Sequence, residues 1–174
     1  MKTNLSKFEK SFAQYLNVKF AVMVNSGSSA NLLMMLAMTS KRGYNLPKGT
    51  KVITPACTFS TTLAPIIQLG LVPVFVDVDL NTYVANVDEV LAAVTDEVKV
   101  LMIPNLIGNK PNWKEIKDGL ISMGREDIIL IEDSADTVTY TPETDIATTS
   151  FYASHVITAG GSGGMVMFND EKLK

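Results

Sequence analysis

Cysteine and histidine are almost absent from this chain. Its 174 residues include one cysteine, Cys57, and one histidine, His155. A single cysteine excludes a disulfide within the chain and any zinc site built from several of its cysteines, and we expect no metal. A lone histidine beside a turn is most often a packing residue. The role of His155 therefore has to be weighed with the segments around it.

The sequence also lacks a strong charge of either sign and any long apolar run. The formal net charge of -3 at pH 7 gives no basic surface for nucleic acid. No apolar run approaches the roughly 20 residues that cross a bilayer, and the polar start MKTNLSKFEK has no apolar core for a signal peptide. We therefore expect no nucleic-acid partner, no membrane insertion and a cytoplasmic location.

Short apolar segments alternate with helical segments along most of the chain. Strands made of continuous apolar runs, with helices between them, are typical of a single α/β domain whose sheet is covered on both faces. Two more short strands, TTSFYAS and GGMVMFND, follow Tyr140 around a glycine-rich loop. The alternating strands are predicted at 20–24, 51–54, 72–78, 98–104 and 127–133, and helices at 31–38, 60–70, 86–94 and 112–124.

Two helical segments carry signals of their own. Ser6 and Glu9 have the spacing of a capping box, which predicts that the first helix begins there. The second helix is apolar nearly all round, and its Met34, Met35 and Met38 are predicted to be packing residues.

Three polar segments follow predicted strands, at the end of the sheet where α/β proteins bind ligands. The first, NSGSSA, opens a helix, and its N–H groups and hydroxyls could bind an anion, although an ordinary helix cap explains it equally well. The second, ACTFSTT, offers Phe59, which could stack on a flat ligand or pack in the core. The third is EDSAD, at the end of the strand predicted at 127–133.

The segment EDSAD brings carboxylates to the end of an apolar strand. Side chains alternate along a strand, so Glu132 and Asp133 should point to opposite faces of the sheet. A carboxylate in this position could bind a metal, orient a base or hold a cationic ring nitrogen. A capping aspartate on a surface turn is the alternative. The convergence of three such segments favours a functional role for His155.

Together these segments resemble the sugar aminotransferase family of pyridoxal-phosphate enzymes, over essentially the whole chain. The similar motifs are NSGSSANLL, ITPACTFSTTLAPIIQLGLVPVFVDVDLNTY, EDSAD and SFYASH with GGSGGMV. The resemblance implies a three-layer, aspartate-aminotransferase-like large domain with a mostly parallel sheet and helices on both faces. It also implies that residues 1–174 are a single partial large domain that binds the cofactor, without the small C-terminal domain.

The resemblance assigns the cofactor phosphate to a small set of residues. In the family, the glycine-serine loop and a serine upstream of the cofactor lysine bind this phosphate. Carried over to this sequence, these residues are Gly27, Ser28, Ser29 and Ser150.

The resemblance also assigns the cofactor ring, and here the sequence departs from the aminotransferases. Phe59 is expected to stack on the ring and Asp133 to pair with its nitrogen. His155 stands where aminotransferases carry the lysine, and Asp136 where they usually have glutamine. Asn105 stands where relatives often have histidine. NSGSSANLL, PIIQLGLVPVFVDV, LIGN and Asp136 make the sequence more similar to the histidine-bearing branch, the 4-keto-6-deoxyhexose 3-dehydrases, which include a similar CDP-linked enzyme.

This branch implies a specific chemistry. Histidine cannot bind the cofactor covalently, so pyridoxamine phosphate, rather than lysine-bound pyridoxal phosphate, is the expected bound form. An unperturbed imidazole has a pKa of about 6.5, so the side-chain type found at position 155 can act as base and then as acid near neutral pH. The expected function is dehydration at C3 of a nucleotide-linked 4-keto-6-deoxyhexose in deoxysugar biosynthesis.

Two alternatives and several partners remain open at this point. The chain could be a sugar aminotransferase, or a truncated, non-catalytic module for cofactor binding or assembly. A homodimer is expected, because the family's sites lie at a dimer interface. A complementary C-terminal chain and a reductase are further candidate partners.

Overall fold

A seven-stranded sheet lies at the centre of the computed structural model, which describes residues 3–173. Besides the strands and α-helices given next, the chain forms short 3-10 helices at Leu106–Gly108 and Glu171–Leu173. The strands are β1 (Phe20–Val24), β2 (Lys51–Pro55), β3 (Val72–Val76), β4 (Val98–Pro104), β5 (Ile129–Asp133), β6 (Ile146–Ser150) and β7 (Gly164–Phe168). The helices are α1 (Asn4–Tyr15), α2 (Gly27–Thr39), α3 (Ser60–Gln68), α4 (Val87–Ala92) and α5 (Trp113–Ser122).

The order of strands across the sheet is β1-β7-β6-β5-β4-β2-β3. The pairs β2–β3, β2–β4, β4–β5 and β5–β6 are parallel, whereas β7 is antiparallel to both β1 and β6. All strands except β7 therefore run in one direction, and their carboxyl ends share one edge of the sheet. The mostly parallel sheet predicted from the apolar runs is confirmed.

Helices cover both faces of this sheet. On one face, α2 and α3 pack against alternate residues of the strands, among them Val100, Ile131 and Val166. On the other face, α4 and α5 pack against the residues that point the opposite way, such as Leu101 and Leu130. Helix α1 covers the part of this second face formed by β1, β6 and β7. The three layers follow from the strands being apolar on both sides.

The second helix is buried as its composition predicts. The side chains of Met34, Met35 and Met38 are at most 2% exposed and lie in the core between α2 and the sheet. Their assignment as packing residues is confirmed. None of the helices within residues 3–173 is long and apolar enough to cross a bilayer.

The start of the first helix differs from the prediction. The N-cap is Thr3, whose hydroxyl accepts a hydrogen bond from the Ser6 N–H at 3.3 Å. Glu9 instead accepts a hydrogen bond from the Met23 N–H on β1. The capping box at Ser6 and Glu9 was therefore wrong, because Glu9 stabilises a neighbouring strand rather than its own helix end.

Candidate active site

A cleft with a volume of about 280 Å³ opens at the carboxyl ends of β4 and β5, beside the first turns of α2 and α3. It lies at the end of the sheet that the three polar segments predicted. Of the eight site residues expected from the resemblance, seven line this cleft: Gly27, Ser28, Phe59, Asp133, Asp136, Ser150 and His155. Asn31, Thr61, Thr62, Asn105 and Tyr152 are further lining residues.

One corner of the cleft is formed by the start of α2. Ser26 caps this helix, and a Cβ atom at Gly27 would lie 2.7 Å from the Cβ of Ser150. Only glycine therefore lets the loop approach β6 this closely. The contact brings the start of α2 next to Ser150, so the residues expected to bind phosphate lie together. The N–H groups of a helix's first turn favour anions.

Ser29 takes a different place from the other predicted phosphate ligands. Its N–H donates a hydrogen bond to the Ser26 hydroxyl at 3.1 Å, and the two hydroxyls lie 3.1 Å apart. Ser29 is not among the residues that line the cleft. In this structure it completes the cap of α2, and its role toward phosphate stays a prediction.

Asp133 and Glu132 point to opposite faces of the sheet, as the alternation of side chains predicts. The Oδ2 atom of Asp133 accepts hydrogen bonds from Asn31 Nδ2 and Thr62 Oγ1, both at 2.8 Å, on the α2 and α3 side. Glu132 is fully buried on the other side, where Asn105 Nδ2 donates to it at 2.6 Å. Of the two carboxylates, only Asp133 lines the cleft.

Burial dominates the electrostatics of Asp133. It raises the pKa of this carboxyl above its usual range, because the ionised form loses its hydration. Hydrogen bonds from Asn31, Thr62 and the Ala135 N–H oppose the rise, whereas the nearby charge of Asp136 adds to it. In its ionised form this carboxylate would bind a cationic N–H more strongly than a neutral donor.

His155 lies in the loop after β6, within reach of a second carboxylate. Its Nε2 atom is 3.8 Å from Oδ1 of Asp136, whose Oδ2 accepts a hydrogen bond from the Ile107 N–H at 2.9 Å. The Nδ1 atom of His155 is buried and has no hydrogen-bond partner among the described residues. The imidazole is about a quarter exposed, with 26% of its side-chain surface accessible. It is thus placed to exchange a proton with a ligand in the cleft.

Aromatic side chains border the cleft on two sides. Phe59, at the N-cap of α3, is 64% exposed and therefore not a core residue. Tyr152 lies with its ring centre 6.0 Å from that of His155, in an edge-to-face arrangement. An exposed ring at the mouth of a cleft fits the expected stacking on a flat ligand better than packing in the core.

Asn31 and Thr62 are polar residues of the cleft that were not identified from the sequence, whereas Asn105 was noted there only as a departure from its relatives. Asn31 and Thr62 bind Asp133, and Asn105 connects the cleft to Glu132. A signal existed for Asn31, since it is a polar residue in the otherwise apolar run of α2. Within residues 3–173 no group of three or more histidine, cysteine, aspartate or glutamate residues is arranged to hold a metal ion.

The layered sheet and the cleft at its carboxyl edge define an α/β domain of the aspartate-aminotransferase type. Residues 2–174 match the DegT/DnrJ/EryC1/StrS aminotransferase family, and the chain belongs to this family. The fold and the membership expected from the sequence motifs are thereby confirmed.

Three comparisons illustrate the similarity. GDP-4-keto-6-deoxy-D-mannose 3-dehydratase of Escherichia coli O55:H7 is 38% identical over 97% of this chain and 44% of its own length. dTDP-4-dehydro-2,6-dideoxy-D-glucose 3-dehydratase of Saccharopolyspora spinosa is 41% identical over 98% of this chain and 38% of its own. A solved E. coli GDP-4-keto-6-deoxy-D-mannose-3-dehydratase with bound hydrated PLP superposes with a TM-score of 0.89 at 37% identity, covering 99% of this chain and 45% of that one. The chain thus spans less than half the length of these relatives.

Proposed function

We propose that this chain binds pyridoxamine phosphate, or pyridoxal phosphate, and acts in the dehydration at C3 of a nucleotide-linked 4-keto-6-deoxyhexose in deoxysugar biosynthesis. The observation that carries this proposal is the pair of His155 and Asp136 in a cleft where none of the described lining residues is a lysine. The E. coli and S. spinosa relatives are 3-dehydratases of such sugars, which supports the same substrate class. One relative is GDP-linked and the other dTDP-linked, so the proposal extends to the class and not to one nucleotide.

The cleft residues fit a phosphorylated pyridine in their chemistry. Gly27, Ser28 and Ser150 would hold the phosphate at the start of α2, because this corner offers N–H groups and hydroxyls. Phe59 would stack on the ring, and Asp133 would accept the hydrogen bond of a protonated ring nitrogen. When bound, the cofactor would supply a sink for the electrons of a carbanion.

His155 is the proposed acid–base group. Its imidazole would remove the proton that is lost from C4′ of the cofactor once the sugar is bound, and the resulting imidazolium would give that proton to the hydroxyl, which leaves C3 of the sugar as water. The Asp136 carboxylate, whose Oδ1 atom lies 3.8 Å from Nε2, would help to orient the imidazole ring. Asp133 does not exchange protons in this scheme, because its role is to keep the ring nitrogen charged.

We further propose that the chain corresponds to the large, cofactor-binding domain of its relatives and works in the cytoplasm within an assembly. Exposed apolar side chains on α1 and α2, including Phe8, Leu33 and Leu36, support contact with another polypeptide. A homodimer is the proposed state. A complementary C-terminal chain and a reductase are the other proposed partners.

Two other functions make different predictions. A sugar aminotransferase would form an amino sugar with glutamate as the amino donor. The chain's family is described as an aminotransferase family, which supports this alternative. A non-catalytic module would bind the cofactor without turnover. The presence of histidine rather than lysine at position 155 favours the dehydratase over the aminotransferase.

The proposal is tested by combining binding and turnover. The chain is titrated with pyridoxamine phosphate by fluorescence, and then incubated with a nucleotide-linked 4-keto-6-deoxyhexose while the loss of water is followed by mass spectrometry. The His155→Asn variant is expected to bind the cofactor but to turn over about 10²–10⁴-fold more slowly. Absence of cofactor binding by the chain, or equal turnover by the variant, would overturn the proposal. Glutamate-dependent amino-sugar formation would select the aminotransferase instead.

A further inference from the structure

The carboxylate of Asp133 is held through only one of its two oxygens. Asn31 on α2 and Thr62 on α3 both donate to Oδ2, at 2.8 Å each. The other oxygen, Oδ1, receives one long hydrogen bond of 3.3 Å from the Ala135 N–H. A carboxylate can accept about four hydrogen bonds, so Oδ1 keeps most of its capacity for another donor.

The orientation of Asn31 is itself fixed by its surroundings. Its Oδ1 atom accepts a hydrogen bond from Thr148 Oγ1 on β6 at 2.6 Å, and its Nδ2 donates also to the Thr61 carbonyl at 3.1 Å. An ionised carboxylate can only accept, so the amide must turn its NH₂ group toward Asp133. Asn31 is 2% exposed, so its polar atoms depend on these contacts more than on bulk water.

From this arrangement we infer that Asn31 and Thr62 are positioning residues. They hold Oδ2 of Asp133 so that Oδ1 faces the cleft with free acceptor capacity for the cationic N–H of a bound ligand. The identity of that ligand rests on the proposed function, whereas the hydrogen bonds to Oδ2 are observed in the structure without it. It adds to the site two residues that touch neither phosphate nor sugar in the scheme above.

The electrostatic setting explains why such positioning is needed. A fully buried carboxylate loses its hydration, and each charge-assisted hydrogen bond offsets part of that loss. The other ionisable groups among the described lining residues are Asp136, whose charge opposes ionisation of Asp133, His155 and Tyr152. Asn31 and Thr62 therefore favour the charged form of Asp133 within a site that otherwise disfavours it.

The test measures Asp133 directly in the unliganded chain. The carboxyl carbon is followed by NMR during a pH titration, with Asp133→Asn used to assign its signal. In Thr62→Val, which keeps the side-chain volume but loses the donor, we expect the pKa of Asp133 to rise by about one unit. Asn31→Leu is expected to act in the same direction. Thr62→Ser retains a hydroxyl and is expected to restore the original pKa.

Thr54 provides the matched control. It is a threonine on β2 that is also fully buried, but its hydroxyl has no hydrogen-bond partner among the described residues. Thr54→Val removes the same atom from a comparable environment and is expected to leave the pKa of Asp133 unchanged. An equal shift in Thr54→Val and Thr62→Val, or no shift in Thr62→Val, would overturn the inference.

A second measurement separates this inference from the proposed function. The affinity for pyridoxamine phosphate is measured for the same variants, and we expect it to fall about tenfold in Thr62→Val and to recover in Thr62→Ser. If the pKa shifts as expected but Asp133→Asn binds pyridoxamine phosphate normally, the positioning role stands and the assignment of Asp133 to the ring nitrogen fails.

Discussion

Replacement of Asp133 by asparagine should separate ligand affinity from fold stability. The asparagine oxygen can still accept the hydrogen bonds of Asn31 and Thr62, which lie 2.8 Å from Oδ2 in the wild-type protein. Its NH₂ group then occupies the place of Oδ1 and presents a donor to the cleft. A protonated ring nitrogen, which is also a donor, would lose its partner.

The expected loss of affinity follows from the energy of that contact. A hydrogen bond between charged groups is worth about 1.5–3 kcal/mol, so the dissociation constant for pyridoxamine phosphate should rise about 10- to 150-fold. The measurement is a fluorescence titration of wild-type and variant chains near neutral pH. An unchanged dissociation constant would show that Asp133 is not the partner of the ring nitrogen.

The effect on stability should have the opposite sign. Burial raises the pKa of Asp133, so the folded protein keeps this proton to higher pH than the unfolded chain, in which aspartate titrates near about 3.9. The contribution of the group to stability is greatest below the unfolded pKa and is lost as the pH rises through the folded pKa. Above that value the wild-type protein bears the cost of a buried charge, which Asp133→Asn does not.

Urea unfolding of the unliganded proteins at several pH values tests this reasoning. We expect Asp133→Asn to equal or exceed the wild type in free energy of unfolding near neutral pH, and the difference to shrink toward acid pH. A variant that becomes progressively less stable than the wild type as the pH rises would refute the desolvation argument. Such a result would mean that the ionised carboxylate stabilises the fold.

Three further predictions concern the same site and its assembly. His155→Lys should form a borohydride-trappable adduct with pyridoxal phosphate at position 155, whereas the wild-type chain should form none; a specific wild-type adduct on any lysine would contradict the histidine-branch assignment. Gly27→Ala should lower the free energy of unfolding by about 1–3 kcal/mol, because the new Cβ would lie 2.7 Å from the Cβ of Ser150. Adding Ser150→Gly to the same chain should recover part of this loss, as measured by urea unfolding. Additive effects of the two substitutions would show that the two residues do not touch. Light scattering at tens of micromolar should show a dimer or larger assembly, and a clean monomer would count against the proposed homodimer.

Much of the fold could be predicted because local signals and tertiary structure agree. The apolar strands lie close to their predicted positions. Asn86 and Asn112, with which the predicted helices at 86–94 and 112–124 begin, are the N-caps of α4 and α5. The first helix is the exception. Ser6 and Glu9 have suitable spacing for a capping box, but Thr3 is already available as a cap and Glu9 binds the Met23 N–H, 14 residues away. The spacing of two residues within a helix cannot show that a backbone N–H of another element will bind one of their side chains.

The candidate site was predictable where it depends on strand ends and not where it depends on packing between distant segments. The carboxyl ends of parallel strands meet at one edge, which is why Asp133 and Phe59 could be expected in one cleft. The hydrogen bond between Asn31 and Asp133 joins residues 102 positions apart, and no local pattern specifies it. Ser29 is a similar case, because a serine in a helix's first turn can serve either the cap or a ligand.

The pairing of β1 with β7 has a consequence for folding. Phe20 lies opposite Phe168 and Val24 opposite Gly164, so the first strand joins the sheet through the last one. Contacts between segments so far apart in the chain form slowly, because a long loop must close before they are gained. During synthesis on the ribosome, β1 would stay unpaired until β7, which ends at Phe168, has left the ribosome. The turn after β1 packs on Gly164, where a Cβ would collide with the Ser26 carbonyl oxygen, so the start of α2 should reach its place in the cleft only after β7 has joined the sheet.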